Sequence, residues 1–299
     1  MKKQIKGTIS LFGAVLIWGS TFVAQSVGMD HLGPFTFQAV RCFLAVLALL
    51  PLIWIVDRFS GRKGCYLSCW KNPKLWKSGI LCGLALFAAT TLQQIGLIDT
   101  DAGKAGFITA MYIVLVPIFG LFLRKIPSKT TIPSVIMAVI GLYLLSCVGV
   151  TEINKGDLYM MACAVAFAVQ ILLIDRYAAD FDGLRLNCIQ ALVCAVLSAV
   201  FMTVTETPDW NSILVCWFPL CYAGVLSMGI AYSLQIIGQK YIPSTAASLI
   251  MSAEAVIAAL SGWIILNERM SPIEILGAVL VLAAVILSQL PEKNKASAA

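Results

Sequence analysis

Few residues of this chain could do chemistry, and they stand in surroundings where polar groups are costly. Glu254 lies mid-way along the apolar run 243–265, about 15 Å from either end at the rise of an α-helix. A carboxylate at such a place must pair, face water or take up a proton. It could be a proton-coupling group, a contact for the cationic part of a substrate, or a neutral acid hydrogen-bonded between helices. Arg41 lies in the run 35–55, about 9 Å from one end. It could bind a substrate carboxylate, hold backbone carbonyls, or snorkel outward, the structural roles being the commoner. Tyr112 occupies a second apolar run at a depth matching that of Glu254. Gln93 and Gln94, and Tyr232 with Gln235 and Gln239, are further polar groups at depth, the last three on one helix face by their spacing. Gln170 and the group Trp18, Ser20 and Thr21 complete the set of side chains that could line a cavity. For each, interhelical hydrogen bonding or packing is the competing role.

Enzyme chemistry finds no support in these residues. No phosphate-cradling glycine loop with lysine occurs, and no paired His-Glu helix motif or aspartate-rich pair. His31 is the single histidine, so a serine or cysteine triad lacks a base. No nucleotide-binding motif, metal site or cofactor is expected. Of the ten cysteines, eight lie in or near apolar runs, where Cys acts as a small hydrophobe. Cys65 and Cys69 share a loop expected in a reducing compartment, so neither a disulfide nor a metal is expected there.

Composition sets what must position these residues. Of 299 residues 60% are apolar and only 12% charged, with a mean hydropathy of +0.91, against about a quarter charged in soluble domains. Apolar runs of about twenty residues, the thickness of a bilayer core, recur along the chain. Ten helical spans are predicted, at 7–27, 35–55, 75–97, 102–123, 132–148, 156–174, 184–204, 213–237, 243–265 and 273–290. The first is too long, and lacks the cleavage site, for a signal peptide. The fold class is therefore all-α integral membrane protein, with the lipid bilayer as partner. The net charge of +6 is not gathered on an aromatic-basic face, so nucleic acid is not a partner.

The chain repeats itself. Residues 92–146 align without a gap on 234–288, pairing Leu92 with Leu234, Gln93 with Gln235, Gly96 with Gly238, Val114 with Val256 and Ser146 with Ser288. Tyr112 falls on Glu254. Gly7 and Gly156 open the two halves, and Trp18 corresponds to Phe167. Two repeats are expected, 1–150 and 151–299, each of five spans. Five is odd, so the second enters the membrane inverted, and a ligand site is expected near the midplane where the halves meet. Small residues, Gly103 to Gly106 and Ala246 to Ser248, are expected to let helices approach, and Pro117 to bend the fourth span.

Lysine and arginine set the orientation. With both termini inside, seventeen fall on the inner side and three outside (Lys104, Lys155 and Arg269), with Arg41 left within a span. Both ends are expected in the cytoplasm of a bacterial cell bounded by this membrane.

The segments GAVLIWGSTFVAQ, FTFQAVRCFLAVLALLPL and SAEAVIAALSGWIILNERMSPIEILGAVLVLAAVIL resemble the EamA type of the drug/metabolite transporter superfamily, over the whole chain in two copies. The resemblance implies ten helices, a central cavity between inverted halves, and movement of small metabolites such as amino acids or drugs, export being the favoured direction. It matches Arg41, Glu254 and Glu268 to residues of the family pattern. Ala255 stands where the family usually has proline, which puts a helix break beside Glu254 in doubt. Ile126 in the first half answers Glu268 in the second, which suggests a cap for the tenth span at one end only. The expected function is a secondary carrier for a small organic molecule working by alternating access, with protons as a candidate coupling ion. A flippase for a lipid-linked headgroup and a membrane-embedded enzyme or accessory subunit are the alternatives.

Overall fold

The computed structural model describes residues 2–59, 65–100, 102–125, 127–146, 153–265 and 270–289. Among them there is no strand. The helices are α1 (Lys2–Met29), α2 (Pro34–Phe59), α3 (Cys65–Trp70), α4 (Pro73–Gly96), α5 (Ala102–Ala110), α6 (Tyr112–Phe122), α7 (Thr131–Ser146), α8 (Lys155–Tyr177), α9 (Gly183–Thr205), α10 (Trp210–Val215) and α11 (Trp217–Cys221). A π-helical segment, Tyr222–Ala231, leads into α12 (Tyr232–Gln239), and α13 (Ser244–Met251), α14 (Glu254–Ile265) and α15 (Pro272–Gln289) follow. Among the described residues nine stretches are long and apolar enough to cross a membrane, and α7 is a shorter apolar helix that makes the tenth. The protein is an all-α membrane protein. The expected cap at Glu268 and the contrasting Ile126 lie outside the described residues.

Each predicted span has its helix, and three of them are interrupted. The fourth is α5 and α6, joined at Met111, and the ninth is α13 and α14, joined at Ser252 and Ala253. At both joints the backbone tightens to bonds three residues back, Met111 N–H to Ile108 O (3.1 Å) and Ala253 N–H to Ile250 O (3.2 Å). Met111 and Ala253 are counterparts in the repeat. The interruption beside Glu254 therefore forms without a proline, and that in the fourth span precedes Pro117 by nearly two turns. The eighth span begins at Trp217, later than expected, and carries ten residues of π-helix. Gly224 sits in that segment where the backbone of Arg41 passes, and a Cβ there would lie 2.7 Å from the Arg41 carbonyl oxygen.

The helices of the two halves pack in exchanged pairs. α7 packs on α15, and α2 on α9. The third span packs on the sixth and the eighth on the first. The third also packs on the seventh, as the eighth does on the second, and the fourth on the sixth, as the ninth does on the first. Every such contact has its partner under exchange of halves. Close crossings follow the same rule. A Cβ on Gly7 would stand 3.0 Å from the Gly238 carbonyl oxygen, and one on Gly96 3.0 Å from that of Gly156. Gly141 and Gly277 bring α7 and α15 together in the same manner. Gly106 does not take the close-packing role expected of it, since a Cβ there would meet nothing within 4 Å.

Ion pairs tie helix ends. Lys104 reaches Asp157 at 2.6 Å between the fourth and sixth spans, and Lys125 pairs with Asp175 at their other ends. Arg185 of α9 pairs with Asp57 of α2, both buried. The carboxylate of Glu206 accepts from the Phe35 and Thr36 amides (2.8 Å each) and caps the opposite end of α2. The buried cysteines 42, 82, 163, 188, 194 and 216 are free thiols, as expected. Cys69 corrects the other expectation. It is disulfide-bonded, on the short helix α3 where the sequence reading placed an open loop.

Candidate functional site

The interrupted helices converge on one interior cavity of about 40 Å³. Trp18, Thr21, Phe22 and Gln25 reach it from α1, Arg41 from α2 and Gln93 from α4. Thr109 and Tyr112 enter from either side of the joint in the fourth span, Phe167 and Ile171 from α8. Ser227 comes from the π-helical segment, Tyr232 and Gln235 from α12, and Met251 and Glu254 from either side of the joint in the ninth span. Residues of both halves line it. The volume holds a few water molecules.

Glu254 begins α14 and Tyr112 begins α6. The Tyr112 hydroxyl donates to Glu254 Oε1 at 3.1 Å, and both side chains are buried. These residues are counterparts, 142 positions apart. Two positions that answer each other in the sequence repeat thus meet directly at the cavity.

Among the described residues the Arg41 guanidinium bonds side-chain amide oxygens and no backbone carbonyl. The residue is 3% exposed. Its Nε donates to Gln38 Oε1 at 2.7 Å, a terminal nitrogen donates to Gln25 Oε1, and the guanidinium lies 5.6 Å from the Phe37 ring centre. Gln38 passes the network on to Thr90, whose hydroxyl donates to the Leu86 carbonyl at 2.7 Å. Three helices are joined through neutral partners. Among the described residues no carboxylate lies within ion-pair distance of Arg41.

Trp18 packs its ring edgewise on Tyr232 with centroids 4.9 Å apart, and its buried indole N–H has no partner among the described residues. The Thr21 hydroxyl donates to the Ile17 carbonyl at 2.6 Å. Gln170 and Gln235 exchange amide bonds, the shorter from Gln235 at 3.2 Å. Gln170 thus stands behind Gln235 and outside the cavity lining. Gln94 turns away as well, its amide 3.1 Å from Met29 Sδ. Gln239 donates to the Ile171 carbonyl at 3.0 Å, an interhelical tie. Of the residues expected in the site, Trp18, Thr21, Arg41, Tyr112, Tyr232, Gln235 and Glu254 come together. Gln25, Thr109, Ser227 and Met251 join them without having been singled out. A signal existed for Gln25, one turn beyond Thr21 on the same face, and for Thr109, one turn before Tyr112. Ser227 had none, because its direction depends on the π-helical register.

Ten apolar helices that pack in exchanging pairs around a polar cavity are the architecture of a membrane transporter. The chain belongs to the EamA-like transporter family, whose model matches residues 5–147 and again 154–290. An uncharacterized transporter of Archaeoglobus fulgidus is 33% identical over 96% of this chain and 87% of its own length. The uncharacterized transporter YoaV of Bacillus subtilis is 23% identical over 95% and 97%. The threonine/homoserine exporter RhtA of Escherichia coli is 30% identical, over 54% of this chain and 55% of its own. A solved crystal structure superposes with a TM-score of 0.78 at 20% identity, covering 95% of this chain and 96% of that one. The protein is a transporter and not an enzyme.

Proposed function

We propose that the protein is a secondary carrier that moves a small organic metabolite across the cytoplasmic membrane by alternating access, outward in the favoured direction, with both termini in the cytoplasm. One observation carries this reading: a cavity at the joints of two counterpart helices, lined from both halves, holding Glu254 and Arg41, neither of them in an ion pair among the described residues. Two repeats, meeting near residue 150, supply two related packings for such a site. At about 40 Å³ the cavity is too small for an organic molecule, so binding requires the halves to part, and the tightened turns at Met111 and Ala253 are places where they can bend. Arg41 suits a substrate carboxylate and Glu254 a substrate ammonium or a coupling proton. A zwitterion of amino-acid size meets both, and the partial likeness to an amino-acid exporter supports that class. Export has its own support in the same likeness.

The test is transport of an amino-acid and metabolite panel in inverted membrane vesicles, with and without a proton gradient, beside Glu254→Gln. Movement of one compound whose gradient-driven component vanishes in the variant assigns coupling to Glu254. Gradient dependence that survives in the variant removes coupling from that residue. No movement of any compound by well-folded protein overturns the carrier reading.

A further inference from the structure

A second concavity lies far from the cavity, on the lysine-rich face of the protein. It is an open groove of about 600 Å³ between the short helix α3 and the start of α4, lined by Trp70, Lys71, Pro73, Trp76, Lys77, Ile80 and Leu81. We propose that this groove binds the headgroup and upper chain of an anionic phospholipid.

The polarity of the groove changes along its length in the way an amphiphile does. Lys71 and Lys77 are exposed at its mouth and supply two positive charges. The two tryptophans stand beside them, ring centres 6.3 Å apart and tilted by 52°. Indole rings take this position at the headgroup level of a bilayer. Ile80 and Leu81 are one to two turns deeper along a helix that spans the membrane, about 12 Å from Pro73 at the helical rise. Ile80 is 41% exposed and faces outward. A free phosphate has no use for the apolar end, and a soluble peptide could not reach it. A phospholipid engages both.

The walls are built and held. Trp76 spends its indole N–H on the Trp70 carbonyl at 2.7 Å, which fixes both rings without needing a ligand. Asn72 caps α4 by accepting from the Lys74 amide at 3.0 Å, and Pro73 follows at the first helical position. Behind Trp70 stands Arg185, its guanidinium 5.9 Å from the ring centre and paired with Asp57. The groove therefore backs onto the ion pair that joins α2 to α9. Basic pockets beside membrane helices are the recognised seats of anionic headgroups, and a wall already in place spares the lipid the cost of ordering it.

The experiment uses the full chain purified in a zwitterionic detergent. Native mass spectrometry and thermal unfolding are followed as phosphatidylglycerol, phosphatidylcholine or inorganic phosphate is added. Phosphatidylglycerol is expected to remain bound and to raise the unfolding temperature, and the other two to do neither. The double variant Lys71→Gln with Lys77→Gln, both at exposed positions, is expected to bind phosphatidylglycerol about thirty-fold more weakly. A charge-matched control, Lys3→Gln with Lys240→Gln, is expected to keep wild-type affinity. Equal response to phosphatidylcholine, stabilisation by phosphate alone, unchanged affinity in the groove variant, or equal loss in the control would each overturn the proposal.

Discussion

Replacing Arg41 by methionine should leave the protein folded and as stable as before while removing its ability to bind a carboxylate. The magnitude follows from the partners. The guanidinium gives two bonds to neutral amide oxygens, on Gln38 and Gln25, and one contact with the Phe37 ring. Bonds from a charged donor contribute about 1.5–3 kcal/mol each, and an aromatic face about 1 kcal/mol. Against them stands the desolvation of a charge that is 3% exposed and has no acid beside it, several kcal/mol even after relaxation. The two sides are each several kcal/mol and largely offset. Methionine fills the space, and Gln38 retains Thr90. Arg41→Lys should be the less stable variant, because a single ammonium keeps the desolvation cost and cannot span both glutamines. Denaturant unfolding in detergent, followed by tryptophan fluorescence, gives the order directly. A loss of about 3 kcal/mol or more in Arg41→Met, or a lysine variant more stable than the methionine one, would show that Arg41 holds the fold and that its place in the cavity is incidental.

Asp57→Asn leaves Arg185 buried with Asp182, 3.7 Å away, as its remaining acidic partner among the described residues, and should cost about 3–5 kcal/mol, whereas Asp57→Leu combined with Arg185→Met should recover most of it; thermal unfolding of the two variants beside the parent protein measures both. Gly277→Val should part α7 from α15 and cost at least about 2 kcal/mol by the same assay, since a Cβ there would meet the Gly141 oxygen and Leu145 nitrogen, which are backbone and cannot turn aside. Asp209 caps α10 in a loop outside the spans, and the bonds from the Ser212 amide first, then the Ser212 hydroxyl and the Asn211 amide, hold its carboxyl below the ordinary range. Its folded value lies below the unfolded one, so the cap contributes above about pH 3.9 and is lost as pH falls through the folded value. Hydrogen exchange at the Asn211 and Ser212 amides should rise there, relative to intrinsic rates, and Asp209→Ala should show that lower protection already at neutral pH.

Much of the architecture was legible because a bilayer leaves so few solutions. A span must be apolar for about twenty residues and must satisfy its own backbone, so hydropathy alone located the ten helices to within a few residues. What it could not show is how a span is broken. Nothing in Ile108 to Tyr112 or Ile250 to Glu254 breaks a helix by propensity; both stretches tighten at the cavity that residues of the two halves line. The π-helical segment escaped for the same reason. Its Gly224 lies where Arg41 and Leu44 pass close, a contact between helices far apart in the chain that local sequence does not show.

The site was legible to the extent that the repeat was. Pairing residue 112 with residue 254 by their constant offset already implied that the two lie at one depth, and at the cavity equal depth becomes contact, here a hydrogen bond of 3.1 Å. Other residues obey no such rule. Arg41 and its glutamines belong to one half alone, for the positions answering Gln38 and Arg41 are Cys188 and Ala191. The ion pair Lys104–Asp157 between the fourth and sixth spans has no twin between the ninth and first, where Ala246 stands in place of the lysine. Instead, Gly19 lets α1 lie against Ile257 and the Glu254 carbonyl. Symmetry places the cavity, and departures from symmetry give it its chemistry. A cation on one side and an acid at a repeated position are what a repeat alone could never have produced, because an operation that copied Arg41 would have copied its charge as well.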